Sequence, residues 1–184
     1  VYPSVYYAYP SRSHTYPVAA VGGMSHASGT GYHTQPPTYK TLQEALPLIK
    51  QAVQGEREDE LFYDYLISVA PSQEEKNIIA SIRDDERKHN KMFRTIYRDL
   101  TGQVIETPQN VSFEKPRSFI DGVKRAFFGE LSAMERYRII RAGMPNRYYR
   151  DMVFEILTDE LKHADKYNYI LNLDLSRKVK REEA

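Results

Sequence analysis

Cysteine is absent from this 184-residue chain, which excludes disulfides and any iron–sulfur or thiolate-held metal. Long apolar runs are missing as well. No stretch approaches the roughly 18 apolar residues of a membrane span, and no basic-then-apolar leader opens the sequence, so no membrane partner is expected. Charge of one sign is not in excess: 28% of residues are charged, yet the net charge is +1, which gives no reason to expect nucleic acid. A local scarcity is sharper. Residues 1–40 hold no Asp or Glu and only Arg12 and Lys40 as basic residues, but seven tyrosines and five prolines. Such a Tyr/Pro/Gly/Ser-rich stretch has no helical period and cannot bury a core by itself, so it reads as an irregular N-terminal arm for covering a partner subunit or remaining unpacked. Its His14, His26 and His33 are irregularly spaced and read as exposed or packing residues rather than ligands.

What the rest of the chain has is a gapless internal repeat. Gly55-Glu56, Pro71 and Glu86-x-x-His89 recur 74 positions later as Gly129-Glu130, Pro145 and Glu160-x-x-His163. Fifteen residues separate Glu56 from Pro71, and fifteen more separate Pro71 from Glu86. If Pro71 marks the turn of a helical hairpin, the chain climbs about 22 Å and descends by the same amount, which returns Glu86 to the level of Glu56. The second copy repeats this from Glu130 through Pro145 to Glu160. Within each Glu-x-x-His the two residues are three apart on one helical face, so both side chains can reach one ion.

The neighbours of these residues decide whether they point inward. One stripe reads Ile79, Ile82, Glu86, His89, Phe93 and Ile96; its counterpart reads Val153, Ile156, Glu160, His163, Tyr167 and Ile170. Ile49, Val53 and Tyr63 flank Glu56, as Val123, Phe127 and Tyr137 flank Glu130. A carboxylate on a core-facing stripe costs several kcal/mol unless it is paired or bound to a metal. Four of them, with two neutral imidazoles, balance two divalent cations, and oxygen-rich ligation favours iron or manganese over thiolate-seeking metals. A single Glu-x-x-His marks a solvated face more often than a site. Here, from residue 41 onward, His89 and His163 are the only histidines, and each follows a Glu by three residues and a Gly-Glu by the same interval.

Glu on two helices and Glu-x-x-His on the other two resembles the ferritin-like di-iron and di-manganese carboxylate bundles, and the Gly-Glu and Glu-x-x-His wording is most similar to rubrerythrin and bacterioferritin relatives. The resemblance covers about residues 47–174. It implies Glu56, Glu86, His89, Glu130, Glu160 and His163 as ligands of two Fe ions per chain (manganese being the alternative), with Glu86 and Glu160 as the bridging pair and O2 as oxidant. Two departures stand out. Rubrerythrins carry a further Glu three residues after the third-helix ligand, where this chain has Ala133, and the lack of Cys removes the rubredoxin iron centre, so electrons come from Fe(II) or an external donor. Asp85 and Asp159 precede the motif glutamates and are placed to accept the free ring N–H of the ligand histidine on the opposing helix; a solvated helix acid is the competing reading. Tyr63 and Tyr137 share the face of their glutamates and read as core aromatics with a hydrogen-bonded hydroxyl.

The expected fold is all-α: a ferritin-like four-helix bundle of two repeated hairpins joined by a long crossover, over residues 41–175, between the 1–40 arm and a charged 176–184 tail. Thr41 with Glu44 and Ser72 with Glu75 read as capping boxes, and Pro47 is placed in the first turn of a helix running about 47–69. The second helix runs to about 100 before Gly102, the crossover spans 102–117, the third helix covers about 118–142, and the fourth, capped by Asn146, runs to about 173 with Arg177–Glu183 frayed. The expected activity is ferroxidation: two Fe(II) are bound and oxidised with O2 for iron mineralisation, storage or detoxification. The alternatives are a manganese-catalase-like or rubrerythrin-like peroxide-removing enzyme, and a structural coat or packing protein with a degenerate site. By resemblance the chain forms a homodimer or higher homo-oligomer in the cytoplasm. It is further similar to the iron-mineralising cargo of Firmicute encapsulin shells, which places it inside such a nanocompartment, although its C-terminal residues carry no recognisable shell-targeting tag.

Overall fold

The computed structural model describes residues 40–107 and 111–183, apart from the side chain of Glu56. The expected arm, with His14, His26 and His33, lies outside the described residues. Four helices follow in order: α1 (Leu42–Val69), α2 (Gln73–Thr101), α3 (Phe119–Gly143) and α4 (Arg147–Glu182). No strand occurs among the described residues, and none of the helices is long and apolar enough to cross a membrane.

Side-chain caps set the helix starts. Thr41 Oγ1 accepts from the Glu44 N–H, while the Glu44 carboxylate accepts from the Thr41 N–H at 2.7 Å, a complete capping box. That box starts α1 at Leu42, so Pro47 sits inside the helix and not in its first turn. Pro47 forfeits one i→i−4 bond, and its position on the exposed face leaves its ring in solvent while Ala45 and Ile49 stay fully buried beside it. Ser72 caps α2 by accepting from the Glu75 N–H, but the reciprocal half of that box is missing. The Glu75 carboxylate is fully buried and, in place of the Ser72 N–H, accepts from the Ser72 hydroxyl at 2.7 Å and from both Arg177 amino groups at 2.8 and 3.2 Å. The same pair explains a second difference: Arg177 belongs to an α4 that continues helical to Glu182 and does not fray after 173. Gly102 ends α2 in the left-handed region at φ 71°, where a side chain would be strained.

Neighbouring helices run antiparallel. Each hairpin does so by its short turn. Across hairpins, a Cβ on Gly122 at the start of α3 would meet Leu66 at the end of α1 at 2.5 Å, and one on Gly143 at the end of α3 would meet the Thr41 carbonyl at the start of α1 at 2.5 Å. Likewise Arg177 near the end of α4 reaches Glu75 at the start of α2, and Lys88 of α2 pairs with Glu155 of α4. The segment after Gly102 therefore carries the chain back along the bundle before α3 begins.

The core falls into two apolar layers. One holds Ile49, Val53, Phe93, Ile96, Ile140, Val153 and Ile156; the other holds Leu66, Ile79, Ile82, Val123, Tyr167 and Ile170. Each such side chain contributes about 1.5–3 kcal/mol on burial, which together offsets the cost of the polar layer between them. In that layer lie Glu86, His89, Glu130, Glu160 and His163.

Candidate metal centre

Three helices supply the described donors. His89 and His163 are 2% and 0% exposed, Glu130 and Glu160 are 4% and 1% exposed, and Glu86 is mostly buried. The two imidazoles face each other with centroids 5.7 Å apart. Glu86 lies between them: its Oε1 is 3.0 Å from His163 Nδ1 and its Oε2 is 3.6 Å from His89 Nδ1. Glu160 Oε1 lies 3.2 Å from His89 Nδ1, and Glu130 Oε2 lies 3.7 Å from His163 Nδ1. One ligand atom each from Glu86, Glu130, Glu160 and His163 falls within 4.8 Å of the others. Glu56 sits on α1, and its side chain lies outside the described residues.

The histidines are oriented across the bundle by the acids that precede the motif glutamates. His89 Nε2 meets Asp159 Oδ2 at 3.0 Å, and His163 Nε2 meets Asp85 Oδ2 at 3.1 Å. A carboxylate accepts, so each Nε2 carries the hydrogen and each Nδ1 turns its lone pair into the layer. Lys162 stands over both acids, 3.1 Å from Asp85 and 2.6 Å from Asp159. Burial alone would raise the Asp85 pKa, but the bonds from His163 and Lys162 overcome it and hold the carboxyl down at about 2. Asp159 is lowered in the same way by Lys162 and His89 against the cost of burial. Tyr63 donates to Glu130 Oε1 at 3.1 Å and fixes that carboxylate, while Tyr137 packs edge-on against Phe93.

Four buried inward atoms, Glu86 Oε1, His89 Nδ1, Glu160 Oε1 and His163 Nδ1, have no hydrogen-bond partner outside their own cluster. Buried polar atoms are almost always satisfied, and here the unsatisfied ones converge from opposite sides of the bundle. Without a cation, protons carry the balancing charge. Burial works to lower the His163 pKa, but the Glu130 and Glu86 carboxylates raise it to about 10. His89 is also raised, by Glu86 and Asp159 against burial. Burial and repulsion from Glu86 push Glu160 well above the carboxylate range, whereas the two histidines lower Glu86 against its burial. A donor set of buried carboxylates and imidazole lone pairs fits divalent iron or manganese.

Sequence reasoning passed over three residues near the centre. Asp59, one turn beyond Glu56, lines a cavity of about 40 Å³ together with Tyr63, Glu86, His89, Phe93 and Tyr137. Protein crowds its inner side even though its outer edge reaches solvent; that desolvation, with the charges of Glu86 and Glu130, pushes its pKa up to about 7. Its i+3 spacing from Glu56 was the available signal. Tyr167 is fully buried with an unpartnered hydroxyl, and burial and the nearby glutamates raise its pKa well above the usual tyrosine value. Asn90, next to His89 in sequence, is buried and donates to the Val53 carbonyl at 3.4 Å, a contact no local pattern announces.

Comparison with known proteins agrees with this geometry. The family model described as Rubrerythrin matches residues 48–122, which span most of α1, all of α2, the crossover and the start of α3. The chain is 28% identical over 140 residues to the uncharacterised protein YhjR of Bacillus subtilis, covering 76% of this chain and 95% of that protein. A crystal structure of a conserved hypothetical protein from Mycobacterium tuberculosis superposes with a TM-score of 0.61 at 13% identity, over 70% of this chain and 97% of the other, a likeness of fold. The match over residues 48–122 thus falls on an all-α ferritin-like bundle that holds a carboxylate and histidine cluster able to bind metal, and over that segment the chain is similar to the rubrerythrin family.

Proposed function

We propose that this protein is a ferroxidase, taking two Fe(II) as substrate and passing their electrons to O2. The observation that carries the reading is the convergence on one polar layer of four buried donor atoms from α2 and α4 that have no hydrogen-bond partner outside their own cluster. Glu86, His89, Glu130, Glu160 and His163 would hold the iron, with Glu56 completing the symmetric set. Hard anionic oxygen donors favour Fe(III) over Fe(II), so the glutamates supply the driving force for oxidation. Each Fe(II) gives up one electron, and with two protons O2 leaves at the level of hydrogen peroxide. Asp85 and Asp159 hold the two imidazoles in the tautomer that ligates through Nδ1, while the apolar layers on either side exclude bulk water. Ala133 stands where rubrerythrins carry their extra glutamate, which favours iron oxidation over a rubrerythrin-type peroxidase. Assembly into a homo-oligomer, and packing within an encapsulin shell, belong to the same reading and rest on the resemblance alone.

The test is anaerobic Fe(II) titration of the apo-protein followed by O2 mixing. Saturation near two Fe(II) per chain and rapid ferric absorbance are expected, and Glu86→Ala should lower both iron affinity and oxidation rate by at least roughly 100-fold, since it removes the carboxylate shared by both histidines. Turnover of hydrogen peroxide by the manganese-loaded protein, with slow iron oxidation, would replace ferroxidase with a catalase-like reading.

A further inference from the structure

The polar layer is closed above and below by apolar side chains, which leaves open how a hydrated cation reaches it. Two adjoining spaces lie on the α1 side of the bundle. The inner one is the 40 Å³ cavity, about the room of one small ion or water. The outer one, of about 170 Å³, is lined by Glu58, Asp59, Phe62, Tyr63, Phe113, Arg125 and Ala126. Asp59 and Tyr63 line both spaces, so they form the wall between the two, while the paired Glu60, Arg83 and Arg87 line another side of the inner one.

Much of the charge on this face is neutralised in pairs. Glu60 is bound by Arg57 and Arg87, Asp64 by Arg83, and Asp84 by Arg83 and Arg87. Arg125 is occupied by the Glu114 carbonyl and the Phe62 ring. Among the described residues Glu58 and Asp59 make no hydrogen bond or ion pair, and of the two only Asp59 also lines the inner cavity. His89, 2% exposed, lines the same cavity, and its Nδ1 meets only the carboxylates of the centre, Glu160 and Glu86. The repeat makes this feature one-sided. The position 74 residues after Asp59 is Ala133, which is buried in the core and can bind nothing.

Resting on the metal-centre reading, we propose that divalent cations enter through the wall formed by Asp59 and Tyr63, and that the Asp59 carboxylate is the outer ligand that takes the ion before Glu86 and His89. Asp59 acts as a transfer residue and not as a resident ligand. It strips part of the hydration shell at the wall and delivers the cation to one half of the centre first.

The test is stopped-flow loading of the full-length apo-protein with Co(II), followed by its visible absorption, for the native chain, Asp59→Asn and Asp59→Glu. Asp59→Asn keeps size and removes charge at a position that reaches solvent, so folding is preserved. The native chain and Asp59→Asn should reach the same stoichiometry and the same final spectrum, with Asp59→Asn loading roughly tenfold slower or more and Asp59→Glu restoring most of the rate. An unchanged rate in Asp59→Asn overturns the proposal; so does a changed final spectrum, which would make Asp59 a resident ligand. If the native chain takes up no Co(II), the metal-centre reading has failed, and the transfer role falls with it.

Discussion

The two hairpins carry the same donors at the same spacing, yet they are not interchangeable. The first opens toward solvent at Asp59, while the second is sealed at the equivalent Ala133. The second instead reaches over the first: α4, at 36 residues, is longer than any of the other three helices, and its Arg177 clamps the buried Glu75 of α2. Around the histidines, His163 meets Glu86, Glu130 and Asp85, and among the described residues His89 meets Glu160, Asp159 and, at longer range, Glu86. Repetition supplies the ligand set, and departures from it supply difference: one half is open at its edge and the other is anchored at its end.

The largest effect that should expose this asymmetry is the pH dependence of the apo-protein. His163 has a folded pKa near 10 against an ordinary 6.5, so its stabilising contribution is complete below about 6.5 and is lost as pH rises through 10. A shift of that size corresponds to several kcal/mol for a fully buried group. Apo melting temperatures should therefore fall steadily between pH 6.5 and 10, and the fall should shrink once a divalent cation replaces the proton. In histidine ring spectra of the apo-protein, both His163 and His89 should titrate above the ordinary histidine value; titration of either at or below 6.5 would show that the carboxylates do not face it. Next in size is the anchor. Arg177→Ala leaves Glu75 buried without its cation and should cost about 3 kcal/mol by chemical denaturation, whereas replacing both residues by Leu should recover most of it. A loss under about 0.5 kcal/mol from Arg177→Ala would show that α4 does not depend on the clamp. Smallest are the crossed acids. Asp85→Asn loosens His163 and Asp159→Asn loosens His89, and each should weaken Co(II) binding by about 10-fold to 100-fold by equilibrium titration. Unequal losses from the two variants would sharpen the contrast between the halves.

Much of this was legible in the sequence because the signal was local and repeated. The helical period of Ile79, Ile82, Phe93 and Ile96 put Glu86 and His89 on a core face without reference to any other segment, and the gapless repeat did the same for Glu160 and His163. The helix ends were less legible. Ser72 and Glu75 carry the capping-box pattern, but Glu75 has a stronger partner 102 residues away, and no local rule weighs an N–H against a distant guanidinium. The same partner lengthens α4 past the charged run that read as a frayed end. Pro47 misled because its preference for a first turn was outweighed by a complete cap at Thr41. Asp59 was hidden by its type: a lone acid on a charged stretch looks solvated until the cavity behind it is known.

The crossover has a consequence for the electric field at the centre. Because it makes every neighbouring pair of helices antiparallel, each end of the bundle gathers two helix N-termini and two C-termini, and their partial charges of about half a unit each largely cancel. Glu86 and His89 lie near the middle of the 29-residue α2, far from either end. Backbone dipoles therefore leave the centre almost field-free. What a cation feels there is set by the carboxylates and imidazoles themselves, so exchanging one of those side chains retunes the centre with no change in the scaffold around it.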